Sequence, residues 1–493
     1  MNRDQIQLSI NNLEKTYVAT HPIFQHLNFS FPARHVLGIV GPNGVGKTTL
    51  AKILAKKIRP TAGSILTNAN IGYLPQEISF GSSVTIKSYL KNFVQPREDY
   101  KVLEAIQQVR LYDIPLKRTL STLSGGQQRK VLFAAMLLQS KDILILDEPT
   151  NHIDTETRER FIEYIQHFPG MVLMISHDRA LLNEVCDGIL DFEFGKIQYY
   201  EGNYESYKQQ KADYQQKLKA DAERYEKRKQ KMEAWLRLIQ ERASYYANPT
   251  FGKLLKAKRS QFERTFSGTT PEQIRHTKQT KLHLEGGVHH SKRILRYEKK
   301  DITIANHLLI HDCSFEIRGK ERILLQGANG TGKTTLLRDI LAQCTKPTDT
   351  KVLIGNGIKS CYIDQYQLNI NSSLSVLDEF LSKVEGIYRD QLRAKKMLSN
   401  FGLGEQTRHQ SVSTLSYGQK VRLRFAEISG YSYDILILDE PTNHLDIATR
   451  EVIEKALVDY EGALLLVSHD QYFVQEVLIE RIWEITNQEL IER

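Results

Sequence analysis

Apolar and polar positions divide the chain into two ends of one kind and a middle of another. At both ends, short apolar runs alternate with stretches of helical periodicity. Val36–Val40 leads into a glycine-rich loop, and Met171–Ile175 follows a polar helix. Continuous apolar runs of this length are typical of strands buried on both faces of a parallel sheet. The pattern predicts an α/β fold at each end, with helices flanking a mostly parallel sheet.

The two ends also repeat the same motifs in the same order. The segment GPNGVGKT at residues 41–48 returns as GANGTGKT at residues 327–334. Further along, LSGGQ, ILDEPTNHID and ISHD begin at positions 123, 145 and 175, and return 292 residues later as LSYGQ, ILDEPTNHLD and VSHD. Ordered repetition of this kind indicates a tandem duplication. We therefore expect one domain in residues 1–200, a linker in residues 201–290 and a second domain in residues 291–493.

The middle of the chain has the period of a long helix. Asn203 is a candidate N-cap residue. Apolar side chains then recur in steps of three, four or seven at Tyr207, Tyr214, Leu218, Tyr225, Met232, Leu236, Ile239, Ala243 and Tyr246. A helix from Tyr204 to Tyr246 would be about 65 Å long at 1.5 Å per residue, so a return helix is expected. A break at residues 248–252 permits one, and its facing stripe would be Phe251, Leu254, Leu255, Phe262 and Phe266.

The composition is that of a soluble globular protein, with 25% charged and 41% hydrophobic residues among 493. No apolar run approaches the roughly 20 residues of a membrane span, and the N-terminus has no apolar signal-peptide core. The four cysteines form no CxxC pair, so neither disulfides nor structural zinc are expected. These features predict a cytoplasmic protein that does not cross a bilayer.

Positive charge is concentrated in the middle of the chain. Residues 201–300 hold 24 Lys and Arg against 12 Asp and Glu, whereas the whole chain carries a net charge of +9. The expected hairpin tip contains Lys253, Lys256, Lys258 and Arg259 with no acidic residue among them. Such a cluster is typical of a surface that binds nucleic acid, although any long helix can carry a solvated charged face.

The two glycine-rich segments match the pattern GxxxxGK[ST], which needs glycine because backbone N–H groups must approach phosphate closely. Lys47 and Lys333 would add a positive charge, and Thr48 and Thr334 a hydroxyl for Mg²⁺. Two matches in matching contexts predict two nucleotide phosphate sites.

Acidic and histidine residues follow two apolar strands in each copy. Asp147 and Asp439 end one strand, where a carboxylate can hold Mg²⁺ through water, and a glutamate comes directly after each of them. Those glutamates, Glu148 and Glu440, are placed to orient an attacking water. The next strand ends at His177 or His469, in reach of a terminal phosphate. Singly, each residue is more often structural, but their ordered repetition favours chemistry.

On these motifs, both halves resemble ATP-binding-cassette domains. The resemblance implies that Glu148 and Glu440 are catalytic glutamates and that His177 and His469 are switch histidines. It implies Mg²⁺ ligation by Thr48, Gln76, Asp147, Thr334, Gln365 and Asp439. In the first cassette it implies ATP contacts from Tyr17, Gly41, Pro42, Asn43, Gly44, Val45, Gly46, Lys47, Thr48, Thr49, Gln76, Ser124, Gly125, Gly126 and Gln127. In the second it implies ATP contacts from Gly327, Ala328, Asn329, Gly330, Thr331, Gly332, Lys333, Thr334, Thr335, Gln365, Ser416, Gly418 and Gln419.

The family's signature segment caps the nucleotide of the opposite cassette, so the resemblance implies two ATP molecules between the halves of one monomeric chain. Ser416 and Gly418 would close the site at Lys47, and Ser124 and Gly126 the site at Lys333. Two departures make the sites unequal in sequence. Tyr17, which the resemblance implies would stack on adenine, corresponds at the 286-residue offset to Thr303 in the second cassette. Gly125 of the first signature segment corresponds to Tyr417 in the second. We expect different ATP turnover at the two sites.

The segment YEGNYESY at residues 200–207, leading into a basic linker between two cassettes, resembles the ABC-F proteins, which act on ribosomes. That resemblance implies binding to rRNA and tRNA, with the linker reaching from the tRNA exit site towards the peptidyl-transferase centre. The short interval from Gln76 to Ser124 and the short C-terminal end resemble the antibiotic-resistance members.

Three alternatives are weighed against ribosomal protection. A housekeeping ABC-F translation factor would share every motif named so far. An ATP-binding subunit of a membrane transporter would share the cassettes but has no use for a long cationic hairpin. A DNA-repair ATPase would have longer arms and zinc-hook cysteines.

Overall fold

The computed structural model describes residues 7–18, 21–32, 35–76, 83–95, 98–112, 114–139, 141–150, 155–193, 195–246, 249–266, 289, 291–304, 307–328, 330–347, 349–363, 373–384, 386–442 and 445–493. By its contacts, the chain divides into a body of residues 1–204 and 280–493 and a separate unit of residues 205–279. The domain boundaries at 200 and 290 expected above stay predictions.

The first cassette contains two sheets and six described α-helices. Its strands are β1 (Leu8–Val18), β2 (His21–Ser30), β3 (Val36–Val40), β4 (Ala62–Thr67), β5 (Ile71–Leu74), β6 (Ile143–Asp147), β7 (Met171–Ile175), β8 (Gly188–Glu193) and β9 (Lys196–Glu201). Its helices are α1 (Lys47–Leu54), α2 (Ile86–Lys91), α3 (Asp99–Gln108), α4 (Gly125–Leu137), α5 (Thr155–His167) and α6 (Arg179–Val185). The larger sheet has the order β5-β6-β7-β3-β8-β9 and is parallel apart from β9, while β2-β1-β4 is antiparallel.

The linker consists of α7 (Tyr204–Tyr246) and α8 (Pro249–Phe266) in the described part of the chain. The bounds of α7 are those predicted from the apolar seam. The second helix, whose end the sequence pattern left undefined, extends to Phe266 in the described part of the chain.

The second cassette repeats the same plan. Its strands are β10 (Arg293–Ile304), β11 (His307–Arg318), β12 (Arg322–Gly327), β13 (Val352–Ile354), β14 (Ser360–Ile363), β15 (Ile435–Asp439), β16 (Ala463–Val467), β17 (Arg481–Thr486) and β18 (Glu489–Glu492). Its helices are α9 (Lys333–Thr345), α10 (Val376–Lys383), α11 (Gln391–Asn400), α12 (Glu405–Arg408), α13 (Tyr417–Ser429), α14 (Ile447–Val458) and α15 (Gln471–Glu476). The order β14-β15-β16-β12-β17-β18 matches the first cassette strand for strand.

Strand β15 shows why apolar runs of five form the centre of these sheets. Ile435 and Ile437 pack in one apolar cluster, with the residues of β10 and β11, while Leu436 and Leu438 pack in another, with α10 and α13. Successive side chains point to opposite faces of a sheet, so a strand covered on both faces needs every position apolar. The predicted α/β fold with mostly parallel sheets is confirmed.

Two observations bear on the alternatives. Among the described residues, no helix combines the length and apolarity needed to span a membrane. All four cysteines are free thiols, and no two of them lie close together in the sequence.

Candidate nucleotide sites and linker surface

The first phosphate loop connects β3 to α1, and glycine is required at two of its positions. Gly41 and Gly46 have φ angles of 147° and 107°, in the range that favours glycine. A Cβ on Gly41 would collide with the carbonyl oxygen of Phe192, and one on Gly46 would lie 2.5 Å from the Ile23 side chain. These two glycines therefore allow the loop to turn closely into the start of α1, and a helix N-terminus favours phosphate.

Lys47 lies inside this loop. Its ammonium donates to the carbonyl oxygens of Gly41 and Pro42 at 2.6 and 2.9 Å, and the residue is only 6% exposed. Burial lowers the pKa of Lys47, and the carboxylates of Asp446, Glu148 and Asp147 oppose that shift. Lys333 repeats the geometry, donating to the carbonyl oxygens of Gly327 and Ala328 at 2.7 and 3.0 Å. Each lysine is held at the mouth of its loop.

The carboxylates at the ends of β6 and β15 face the threonines that follow the lysines. Thr334 Oγ1 donates to Asp439 Oδ2 at 2.8 Å. In the first cassette, both carboxylate oxygens of Asp147 are buried without a hydrogen bond of ordinary geometry to any described residue, and the Thr48 side chain is a hydrogen-bonding neighbour of this carboxylate. Burial raises the pKa of Asp147, and Thr48 and nearby lysine charges oppose this. A partly buried hydroxyl beside a buried carboxylate offers the oxygen ligands that suit Mg²⁺.

Glu148 and Glu440 occupy an unusual backbone conformation in both copies. Their φ angles are 48° and 50°, which non-glycine residues adopt rarely and at an energetic cost. Each backbone N–H donates at 2.9 Å to the last apolar residue of the neighbouring strand, Ile175 or Val467. This turn directs the glutamate side chain towards the histidine at the end of that strand.

The glutamate and histidine side chains meet in both cassettes. His177 Nε2 lies 3.6 Å from Glu148 Oε1, and His469 Nε2 lies 3.5 Å from Glu440 Oε1. Burial raises the pKa of Glu148 to about 7, against the opposing charge of Arg450, and likewise raises the pKa of Glu440 to about 7. Burial, with the charges of Lys47 and Arg450, lowers the pKa of His177 to about 3. His177 is therefore neutral at physiological pH.

The second cassette completes the site at Lys47. Asp446 Oδ2 accepts a hydrogen bond from the Asn43 backbone N–H at 2.8 Å, and Arg450 Nη1 donates to the carbonyl oxygen of His177 at 2.9 Å. A Cβ on Gly418 would lie 3.7 Å from Asn43 Nδ2. The structure thus brings the second signature segment to the first phosphate loop, as the resemblance implies.

Both signature segments form helix N-termini of the same design. Ser124 and Ser416 are N-cap residues, each accepting from the backbone N–H of a glutamine three residues on, and that glutamine, Gln127 or Gln419, accepts in return from the N-cap N–H. A Cβ on Gly125 would meet nothing within 4 Å.

The two sites differ in how far they are enclosed. The side chain of His177 is 11% exposed and that of His469 is 72% exposed.

Two of the predicted nucleotide-site residues, Asn329 and Gln365, lie outside the described residues. Gln76 is exposed, and its carbonyl oxygen and that of Pro75 accept from Arg129. The Mg²⁺-binding roles of Gln76 and Gln365 therefore stay predictions.

Tyr17 lies near the end of β1, 61% exposed, with Lys15 Nζ 4.9 Å from its ring centroid. Val18, the residue after Tyr17, pairs across the hairpin with His21. In the same way, Ile304, the residue after Thr303, pairs with His307. The hairpin register thus places Thr303 at the position of Tyr17, so the second cassette lacks an aromatic ring there.

Sequence reasoning did not assign Asp446 or Arg450, which reach across the cassette boundary. Asp446 ends the repeated segment ILDEPTNHLD, so its recurrence was visible, but its partner Asn43 lies 403 residues away. Arg179 was also missed, because an arginine after SHD occurs in the first copy only.

The linker surface is cationic and partly aromatic. A groove on it has a volume of about 590 Å³ and is lined by Arg224, Lys227, Arg228, Lys231, Met232, Trp235 and Lys258. Lys258 Nζ lies 5.7 Å from the Trp235 ring centroid, and Trp235 is 36% exposed. At the predicted tip, Lys256 and Arg259 are exposed, whereas the side chain of Lys253 lies outside the described residues.

Known proteins share this arrangement. The sequence profile described as ABC transporter matches residues 24–151 and 310–443, and a second profile of that description matches residues 190–281. The ATP-binding protein YdiF of Bacillus subtilis is 31% identical, the alignment covering 98% of this chain and 81% of that protein. The Energy-dependent translational throttle protein EttA of Escherichia coli is 27% identical, with coverages of 96% and 91%. ABC transporter F family member 5 of Arabidopsis thaliana is 27% identical, with coverages of 97% and 75%.

Among solved structures, the archaeal ribosome recycling factor aABCE1, in complex with the stalk protein aP1, matches with a TM-score of 0.63 at 20% identity, covering 96% of this chain and 87% of that one. This likeness supports the tandem-cassette fold. The two profile matches to the cassettes cover more than half of the chain, and the relatives align along nearly all of it. The chain therefore belongs to the ABC-F family of ATP-binding-cassette proteins and is an ATPase.

Proposed function

We propose that this ATPase is a cytoplasmic ribosome-binding protein that protects the ribosome against antibiotics. Its cassettes close on two ATP molecules, the linker enters near the tRNA exit site and the peptidyl-transferase centre, and hydrolysis reopens the cassettes for release. The observation that carries this proposal is the groove on the linker, where five cationic side chains surround Trp235 and none of the lining residues is acidic.

The chemistry of that groove fits RNA. Lysine and arginine neutralise phosphates and release counterions, which supplies affinity without regard to sequence. An exposed tryptophan offers a face on which an unpaired base can stack, a contact worth about 1–3 kcal/mol. A relative that aligns over 91% of its length is named a translational throttle protein, which supports a role in translation.

Within each site, the chain's residues would divide the work of hydrolysis. Thr48 with Asp147, and Thr334 with Asp439, would hold Mg²⁺. When bound, the ion neutralises charge on the phosphates. Lys47 would leave the two carbonyl oxygens that it contacts in this structure and would donate to phosphate oxygens instead.

Glu148 would orient the attacking water and take up its proton. Its carboxyl has a pKa of about 7, close to the operating pH, as a general base requires. His177, neutral because of its lowered pKa, can donate from one ring nitrogen to the terminal phosphate without bringing a charge of its own. Glu440 and His469 would do the same at the other site.

Ribosome co-sedimentation of the Glu148→Gln, Glu440→Gln double variant tests this function. With ATP the variant should pellet with ribosomes, because closure occurs and hydrolysis does not follow. Failure to pellet, in a variant that still binds ATP, would overturn the proposal and favour a transporter subunit.

A second variant separates the linker from the cassettes. Changing Lys253, Lys256, Lys258 and Arg259 together to Ala should leave ATP binding intact and abolish ribosome-dependent function. Unimpaired function would remove the hairpin tip from the interaction.

The translational throttle relative also favours a second candidate, a housekeeping translation factor. Deleting the gene and measuring drug susceptibility and growth distinguishes the two. Increased susceptibility with normal drug-free growth supports protection, and impaired growth without drug supports the housekeeping role.

A further inference from the structure

Arg179, the second residue after the switch histidine, crosses the boundary between the cassettes. Its guanidinium donates to both carboxylate oxygens of Glu454 on α14, with Nη1 3.1 Å from Oε2. Asp470 Oδ2 lies 3.5 Å from Arg179 Nη2. The side chains of Arg179 and Glu454 are only 3% and 7% exposed. A bidentate arginine pair shielded from water in this way fixes orientation as well as proximity.

Other groups extend this contact into a cluster. The Tyr472 ring lies 5.4 Å from the Arg179 guanidinium and edge-on to Tyr204, at 6.3 Å between ring centroids. Tyr204 is the first residue of α7 and is 1% exposed. Arg450 Nη1 donates to Asp470 Oδ2 at 3.0 Å as well as to the carbonyl oxygen of His177. We call Arg179, Glu454, Asp470, Tyr472 and Tyr204 the Arg179 cluster.

The duplicated sequence cannot build the same cluster on the other side. At the 292-residue offset, Gln471 corresponds to Arg179 and Ile162 corresponds to Glu454. A glutamine amide facing an isoleucine forms no ion pair. By contrast, the pair of Arg450 with Asp470 at 3.0 Å recurs in the first cassette as Arg158 with Asp178 at 3.5 Å. The buried ion pair of Arg179 with Glu454 is therefore one-sided by sequence.

The enclosure of the two sites follows the same asymmetry. Beside the Arg179 cluster, His177 is buried and Asp446 contacts the first phosphate loop. On the other side, the His469 side chain is 72% exposed.

We propose that the Arg179 cluster is a latch that holds the second signature segment against the first phosphate loop. The site at Lys47 then stays assembled through the cycle, and the closing and reopening of the cassettes on ATP take place at the site at Lys333. Arg179 touches no substrate and acts as a positioning residue for Asp446 and Gly418. The latch concerns the cassettes alone, whether or not the linker binds RNA.

Cysteine cross-linking measures the assembly of each site separately. Asn43→Cys with Gly418→Cys reports the site at Lys47, since a Cβ on Gly418 lies 3.7 Å from Asn43 Nδ2. Asn329→Cys with Gly126→Cys occupies the corresponding positions at the other site. Cys344, which is partly exposed, is changed to Ser in all proteins.

Without nucleotide, we expect the first pair to form its disulfide at least about tenfold faster than the second. Arg179→Met should remove that advantage, and the exchanged pair Arg179→Glu with Glu454→Arg should restore much of it. Equal rates in the parent protein, or a ratio unchanged by Arg179→Met, would overturn the latch.

The matched control is Lys300→Met, which breaks a largely buried ion pair with Asp339 inside the second cassette at 2.7 Å. It should leave the ratio of cross-linking rates unchanged. Thermal unfolding is recorded for each variant. If Arg179→Met lowers Tm and leaves the ratio of rates as in the parent, the ion pair has a merely structural role and the proposal is wrong.

Discussion

Asp446 is the residue through which the second cassette reaches the phosphate loop of the first, and its loss can be quantified. Replacement by Ala removes an acceptor for the Asn43 N–H at 2.8 Å and one for the Thr449 N–H at 2.8 Å. The second contact is the N-cap of α14 and belongs to the fold of one cassette. The first exists only while the cassettes are in contact.

These two losses have different sizes. Removing an N-cap carboxylate costs about 1 kcal/mol of folding stability. A hydrogen bond to a charged acceptor contributes about 1.5–3 kcal/mol, and the acceptor Asp446 is only 6% exposed, although the donor Asn43 lies at the surface. Because the contact with Asn43 is the one made between the cassettes, the cost of about 1.5–3 kcal/mol falls on assembly of the site at Lys47, where it corresponds to about a 10- to 100-fold loss in the assembly equilibrium. We expect kcat/KM for ATP hydrolysis to fall by a similar factor.

Steady-state ATP hydrolysis, with thermal unfolding measured alongside, checks this prediction. Asp390→Ala is the matched control, because Asp390 caps α11 by accepting from the Arg393 N–H at 3.1 Å and lies away from the site. Asp446→Asn, which keeps an acceptor oxygen, should retain more activity than Asp446→Ala. If Asp446→Ala loses no more activity than Asp390→Ala, the contact with Asn43 does not contribute to catalysis.

Three further outcomes are expected. On the linker, Lys231→Gln should reduce the slope of log ribosome affinity against log salt by about 0.7 to 0.9, whereas Trp235→Ala should weaken binding by about 1–3 kcal/mol at an unchanged slope; salt titrations distinguish them. Residual ATP turnover should differ between Glu148→Gln and Glu440→Gln, and equal rates would contradict unequal sites. Burial raises the pKa of Glu427 from 4.5 to about 7. Between these two pH values the folded chain keeps a proton that the unfolded chain loses, so the stability of the wild-type protein falls as the pH rises from about 4.5 to about 7. Relative to wild type, Glu427→Gln should gain about 2–3 kcal/mol of unfolding free energy between pH 5 and pH 8 in urea titrations, and a constant difference would refute this.

The sequence predicts whatever depends on local periodicity or on a recurring motif. Helix α7 was placed at its observed bounds because its apolar seam runs unbroken over 43 residues. The phosphate loops and the strands before Asp147 and Asp439 could be predicted because their motifs and apolar runs recur in both halves of the chain. The ion pair between Arg179 and Glu454 could not be predicted, because the two residues are 275 positions apart and share no motif. The unequal exposure of His177 and His469 also could not be predicted, since both histidines lie in the same tripeptide, Ser-His-Asp.

The left-handed backbone at Glu148 and Glu440 sets how these positions respond to replacement. Gln keeps the strained φ and changes only the charge, so Glu→Gln variants measure the carboxylate. Gly would relax the backbone, and its folded state should be more stable by about 1 kcal/mol while the protein is inactive. At this position of each cassette, folding stability therefore favours glycine, whereas ATP hydrolysis requires glutamate. A library of random variants that is selected only for thermostability should yield glycine there.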